Sequence, residues 1–289
     1  MENFQDWEKA GKIASEAREF GRKLIKEGVS LLEVTEKIED KIISLGGKLA
    51  FPTQFSLNEV AAHYNAVVND KTVFGKDVVK LDLGACFNGA IGDTACTVDL
   101  SGENKELVKA SEEALKNAIK VAKPGVMLKD IGAKIHETIT GYGFSPIRNL
   151  CGHGLGLFQI HDKPSIPNFD NGDETELEEG DTIAIEPFAT TGSGVVIEGK
   201  NSEIYRFIQR KATRNPNARK IMNFVETEFK ELPFSKRVIA KKFGNVTLPL
   251  ILLERDGIID QYKQLIEKTK CLVSQTEHSL IVGKKVITK

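Results

Sequence analysis

Several things are scarce in this sequence, and each absence removes a class of protein. No stretch of its 289 residues approaches the length, about 18 apolar residues, that a membrane-crossing helix needs. The opening MENFQDWEKAGKIASEAREF has no basic segment followed by an apolar run, so no membrane partner is expected and the location is expected to be cytoplasmic. The four cysteines, Cys86, Cys96, Cys151 and Cys271, show no C-x-x-C spacing, which argues against a zinc knuckle or a disulfide framework. Cys86, Cys96 and Cys151 fall near candidate ligands and are expected to be buried free thiols. The formal net charge is -1, so nothing global draws the chain to nucleic acid. What is present, 40% hydrophobic and 28% charged residues, suffices to bury the core of one large domain or one domain with an insertion.

Five residues able to bind metal, Asp82, Asp93, His153, Glu186 and Glu277, sit in strand-like or turn-like stretches rather than on a polar helix face. DVVKLDLGACF runs into AIGDTACTVDL across Asn88-Gly89, a dipeptide that favours the two-residue turn of a β-hairpin. With Asn88 and Gly89 central, Gly84 lies opposite Asp93, and Asp82 stands two residues along on the same face. Two carboxylates brought together in this way either share a cation or remain turn-flanking, solvated acids, because like charges buried at close range are costly.

Further along, in LCGHGLGLFQIHDKPSIPN, His153 stands between Gly152 and Gly154, which are expected to let backbone pass close to a bound group, and His161 follows. Glu186 ends the apolar run DTIAIE, and Glu277 stands in CLVSQTEHSLIV; a charge in such a strand needs a partner. A mostly oxygen donor set with one imidazole suits Mn, Fe, Co or Zn, and two such ions if carboxylates bridge.

The sequence also contains a duplication. Lys23, Lys26, Gly28, Val29, Leu31, Lys37, Ile38, Ile42 and Gly46 recur 97 positions later as Lys120, Lys123, Gly125, Val126, Leu128, Lys134, Ile135, Ile139 and Gly143. Each copy reads as two helices joined by a glycine turn, the second with a stripe at helical spacing (Leu31, Val34, Ile38, Ile42; Leu128, Ile131, Ile135, Ile139). The strands echo at a slightly larger offset: DVVKLD resembles DTIAIE, and His63 matches His161. Two α-then-β halves facing one another would meet at their acidic strand positions, a common place for a site.

Between Glu186 and Glu277 the duplication is interrupted. From about 196 to 258 the chain turns basic and helical, with ARKIMNFVETEF and SKRVIAKKFG on either side of the turn LPF. Arg206, Arg210, Lys211, Arg214, Arg219 and Lys220 lie in one run, which is either a solvated face or a contact for ribosomal RNA. His136 falls beside its helical stripe and is expected at the surface. His278 points away from Glu277 if that segment is a strand, and either orients a ligand or packs.

The segments LAFPTQFSLNEVAAHY, VVKLDLGACFNGAIGDTACTV, CGHGLGLFQIHDKPSIPN, TIAIEPFA and SQTEHSLIV together resemble the methionine aminopeptidases of type 2, the archaeal kind, over essentially the whole chain. The resemblance implies an α+β pita-bread fold of two pseudo-symmetric halves (about 1–105 and 106–289), a catalytic unit of 1–195 with 259–289, and a helical, winged-helix-like insertion at 196–258. It implies a monomer that removes the initiator methionine of nascent proteins through two divalent ions. Asp82 would chelate one ion, Asp93 and Glu277 would bridge, and His153 and Glu186 would complete the other. Glu186 would also move the proton, His161 would stabilise the tetrahedral intermediate, His63 would contact substrate near the scissile amide, and Phe51 would line the methionine pocket. The charged N-terminal extension of eukaryotic members is not seen at the start of this sequence. Two alternatives stay open: a proline dipeptidase of the same fold, against which the insertion and IHDKPSIPN argue, and a non-enzymatic binding relative, which would have lost ligands.

Overall fold

Asn88 and Gly89 both take positive φ, 52° and 98°, and this left-handed pair turns the chain back on itself so that Gly84 faces Asp93 and Asp82 faces Ala95. The hairpin so formed anchors a computed structural model that describes residues 4–289; the first three residues, part of the opening read above for targeting signals, lie outside the described residues. The first half consists of α1 (Phe4–Leu24), α2 (Leu31–Ser44), β1 (Lys48–Leu57), β2 (Val60–Ala62), β3 (Val78–Phe87) and β4 (Ala90–Asp99). The second begins with α3 (Lys105–Val121), α4 (Leu128–Gly141), β5 (Ser145–Pro146), β6 (Cys151–Gly156), β7 (Gln159–Pro167), β8 (Thr182–Ile185) and β9 (Phe188–Thr190). After β10 (Val196–Phe207) come α5 (Pro216–Glu228), β11 (Phe234–Ser235), α6 (Lys236–Phe243) and α7 (Thr247–Arg255). The chain closes with β12 (Ile259–Glu267), β13 (Val273–Gln275), β14 (Glu277–Ile281) and β15 (Lys285–Val286).

The duplication read in the sequence is a structural one. Helices α2 and α4 occupy equivalent bounds, and their stripes, Leu31, Val34, Ile38 and Ile42 against Leu128, Ile131, Ile135 and Ile139, are all at most 1% exposed. Each helix follows a left-handed glycine, Gly28 or Gly125, and is followed by another, Gly46 or Gly143, conformations that a side chain would strain. Each half thus packs two helices against its own strands of a curved sheet ordered β1-β3-β4-β14-β8-β6-β7, with β15 on β14, and each has its own apolar core.

The halves meet at β4 and β14, whose register comprises Glu277 against Ala95 and His278 against Thr94. Hydroxyl side chains extend this short ladder. Thr94 Oγ1 donates to the Glu277 carbonyl (2.9 Å), while Thr97 Oγ1 donates to the Gln275 carbonyl (2.7 Å) and accepts from its N–H (2.9 Å). Ser279 Oγ likewise donates to the Asp93 carbonyl (2.8 Å) and accepts from its N–H (2.9 Å). The two candidate bridging acids are therefore held by their own backbones across the seam.

The stretch 196–258 does not begin as a helix. Val196–Phe207 is a strand that pairs with β12 along its length and with β11, because its Ile-Tyr-Arg-Phe end offers β-branched and aromatic residues to a sheet. The two helical patterns on either side of LPF are α5 and α6, each N-capped by a side chain, Asn215 and Ser235. The insertion is bound to the first half by a buried ion pair: Arg237 of α6, 3% exposed, donates from NH2 to Glu39 of α2 at 2.6 Å. Removing Glu39 leaves the buried Arg237 with only Glu36, 3.9 Å away, as a counter-charge, so Glu39→Ala is expected to lower unfolding free energy by about 3 kcal/mol. Urea denaturation followed by circular dichroism measures this; an unchanged midpoint would show that other contacts fix α6.

Candidate metal centre

All five residues picked out as ligands converge on one spot at the seam. Asp82 comes from β3, Asp93 from β4, His153 from β6, Glu186 from the residue after β8, and Glu277 from the first position of β14. His153 Nε2 lies 3.6 Å from Asp93 Oδ2 and 3.8 Å from Glu186 Oε1. One donor atom each from Asp93, His153 and Glu277 fall within 4.8 Å of one another. His153 Nδ1 faces the Gly154 carbonyl at 3.1 Å, which fixes its proton there and leaves the Nε2 lone pair toward the acids.

Four carboxyl groups in so small a volume cannot all be charged without a cation. Burial raises Asp82 to about 7, moderated by a hydrogen bond from Gln275. Burial and then the Asp82 charge hold Asp93 well above the ordinary carboxylate range. Glu186 is raised by burial and then by Asp82 and Asp93, and Glu277 by burial and then by Asp93 and Glu186. Burial also lowers His153 to about 4, which keeps it neutral and able to ligate. Asp82 Oδ1, Asp93 Oδ1 and Glu277 Oε1 are buried and have no hydrogen-bond partner. Acceptors of this kind, gathered from both halves around a neutral imidazole, fit a divalent cation.

The glycines beside His153 serve a purpose other than the one expected. A Cβ on Gly154 would lie 1.9 Å from the Lys163 carbonyl, and one on Gly152 would lie 2.3 Å from the Ala184 carbonyl. The room is filled by neighbouring strands and not by a bound group. Cys86 is buried as expected, but Cys96 is only partly so, and Cys151, expected buried, is exposed because it begins β6 at the rim of the cleft.

The acids form the floor of a cleft of about 560 Å³. Phe51 lines it, in space that Gly84 leaves open: a Cβ there would meet the Phe51 ring at 2.4 Å. His63 is held in the left-handed region, φ 63°, with its N–H donated to Gln54 Oε1 (2.7 Å) and Nδ1 against the Lys263 carbonyl (2.9 Å). A non-glycine residue there is strained and persists because these bonds fix it. His161 opens onto the cleft with its ring 4.8 Å from that of His153. The protein around His161, followed by His153, His63 and Arg206, pushes its pKa down, and burial does the same to His63. His161 is exposed on its cleft side, and both shifts favour the neutral ring.

Sequence reasoning missed Tyr262, which stands between His63 and His161 with ring centroids 5.2 and 6.3 Å away. It also passed over Gln275, which lies beside the acids. His136 is exposed, as expected. His278 faces away from the cleft, with Nδ1 3.2 Å from Arg18 NH1 and 3.1 Å from Thr288 Oγ1, and burial lowers it to about 3.

The model of metallopeptidase family M24 matches residues 5–221. A methionine aminopeptidase of Methanocaldococcus jannaschii is 43% identical over 293 residues, covering 100% of this chain and 99% of its own. Among solved structures, the methionine aminopeptidase of Thermotoga maritima superposes with a TM-score of 0.72 at 25% identity, covering 99% of this chain and 96% of that one. The prolidase of Pyrococcus furiosus gives 0.65 at 24%, covering 99% of this chain and 63% of that one. The shared architecture is the pita-bread fold.

The acid cluster sets a pH dependence whose sign follows from its shifts. A carboxyl whose folded pKa is raised contributes stability that is complete at low pH and lost as pH rises, for Asp82 between its ordinary 3.8 and about 7. Chelated protein is therefore expected to melt of order 5 °C lower at about pH 7 than at about pH 5, with added Mn2+ reversing the difference. Scanning calorimetry with and without Mn2+ measures it, and a metal-free melting temperature that rises over this interval would contradict the assignment.

Proposed function

Because the chain belongs to metallopeptidase family M24, we propose that it is a metal-dependent aminopeptidase that removes the N-terminal methionine of nascent proteins when the next residue is small. The observation that carries this reading is the meeting of four carboxylates and one neutral imidazole at the floor of a partly apolar cleft. The full-length likeness to methionine aminopeptidases supports the choice of substrate.

In this reading the centre holds two ions drawn from Co, Mn, Fe or Zn, since five protein ligands exceed the three or so of a mononuclear catalytic site. Asp82, Asp93, His153, Glu186 and Glu277 would hold these ions between the two halves. When bound, such ions supply Lewis acidity, lowering the pKa of water and polarising a carbonyl. Glu186 would take a proton from water and return it to the leaving amine. His161, neutral, donates to the oxygen on which negative charge develops. His63 holds the substrate amide, and Phe51 forms the wall against which the methionine thioether packs.

Burying the methionine side chain contributes roughly 2 kcal/mol, so exchanging it for alanine is expected to lower kcat/KM about 30-fold. Met-Ala-Ser, Met-Gly and Met-Ser starts are expected to be cleaved efficiently and Met-Lys or Met-Leu poorly, because His63 and the acids crowd the far side of the bond. Preference for a Gly-Pro dipeptide over Met-Ala-Ser would move the protein to the proline dipeptidase reading.

The proposal extends to a cytoplasmic monomer whose residues 196–258 form an appendage that contacts the ribosome. Arg210, Lys211 and Arg214 are exposed on it, although Arg210 is already engaged by Glu226 and Asn223. Neutralising the three is expected to leave peptide hydrolysis within about twofold while weakening a salt-dependent association with ribosomes. Equal co-sedimentation of parent and variant would remove the ribosome from the account.

A further inference from the structure

Gln275 ends β13 one residue before the chain turns into β14, and it is 1% exposed. Its backbone has little freedom. The N–H and carbonyl are both taken by Thr97 Oγ1 across the seam, and on its other side the residue pairs with Phe188 of β9. The side chain leads its amide between two acids that come from different halves: Nε2 lies 3.4 Å from Asp82 Oδ2 and 3.2 Å from Glu186 Oε2. These two acids end the echoed strand sequences DVVKLD and DTIAIE. Because both neighbours are carboxyl oxygens, the nitrogen end of the amide must face them, and one NH2 group has two hydrogens to give.

The chemistry of the position is narrow. A lysine or arginine there would neutralise the acids and compete with a metal for them. A serine or threonine hydroxyl has one hydrogen and too short a reach. A primary amide supplies two donors without charge, so it can orient Asp82 and Glu186 and leave their other oxygens for a cation. Asp82 Oδ1 is one such oxygen, buried without a partner.

We infer that Gln275 is a positioning residue that holds the outer carboxylates of the two halves in one arrangement for metal binding, by donating both hydrogens of its amide. The inference rests on the metallopeptidase reading and adds to it a neutral residue that ligates nothing. Groups that orient metal ligands typically change affinity 10- to 100-fold when removed.

The test uses full-length protein stripped of metal by chelation and titrated calorimetrically with Mn2+ at neutral pH. Gln275→Met keeps the length and removes the donors. It is expected to weaken Mn2+ binding about tenfold or more while far-UV circular dichroism stays that of the parent. Gln275→Asn keeps the amide with a shorter reach and is expected to fall between the two; should the methionine variant fail to fold, the asparagine variant must still bind more weakly than the parent. Parent-like Mn2+ affinity in either folded variant would overturn the inference and leave the metallopeptidase reading intact. A parent protein that bound no Mn2+ would overturn both.

Discussion

Four carboxyl groups side by side, Asp93 and Glu277 buried and Asp82 and Glu186 half-buried, constitute a repulsion that the protein alone does not relieve, and much of the rest of the structure is arranged around it. Asp93 and Glu277 are 3% and 1% exposed, on strands that face each other across the seam. Desolvation pushes each of the four acids toward its protonated form, and repulsion from neighbouring acids adds to it at Asp93, Glu186 and Glu277. A divalent cation removes that tendency in one step. The centre is thus poorly satisfied as a piece of protein and well formed as a ligand set, a local conflict of the kind that marks functional sites.

Such a cluster needs a rigid surround. Each half supplies two helices laid on its own strands, with stripes that are fully enclosed, so β3, which bears Asp82, and β8, which leads into Glu186, are backed by packed apolar layers. The halves are then joined where the acids stand, by Thr94, Thr97 and Ser279, whose hydroxyls bond to backbone across the seam. These short side chains let the strands diverge beyond two ladder pairs without leaving buried backbone unsatisfied. Behind the seam, Arg18 reaches Thr94, the Thr288 carbonyl and His278, which ties α1 and the end of the chain to the strands carrying the ligands. In front, β12 and the insertion, through Ile204 of β10 and Pro233, line the cleft, and the Glu39–Arg237 pair fixes the insertion to α2.

The parts of this arrangement that were legible in the sequence are those with a local signature. Asn88-Gly89 dictates its turn, and the turn sets the register that places Asp82 and Asp93 on one face. The repeated glycines and apolar stripes define α2 and α4 because helical period and left-handed termini are both encoded within a few residues. His63 and His161 match one another across the duplication, whereas their roles are what the family resemblance implies. What stayed hidden depends on contacts between distant segments. Gly152 and Gly154 looked like room for a ligand, whereas the space belongs to the Ala184 and Lys163 carbonyls. The start of the insertion read as helical, but β10 is drawn into a sheet by β12, some sixty residues on. Cys151 faces the cleft rim because of where β6 begins, and neither Tyr262 nor Gln275 carries a sequence pattern that separates it from an ordinary strand residue.

The central claim is that these acids are kept together for divalent ions lying between the two halves. Anomalous diffraction from crystals of the protein grown with Mn2+ tests it most directly. The account predicts two anomalous peaks at the seam, both within coordination distance of Asp93 and Glu277, one also touching Asp82 and the other His153 and Glu186. Crystals diffracting well in Mn2+ with no peak among these five residues, and with the acids paired to one another instead, would contradict it.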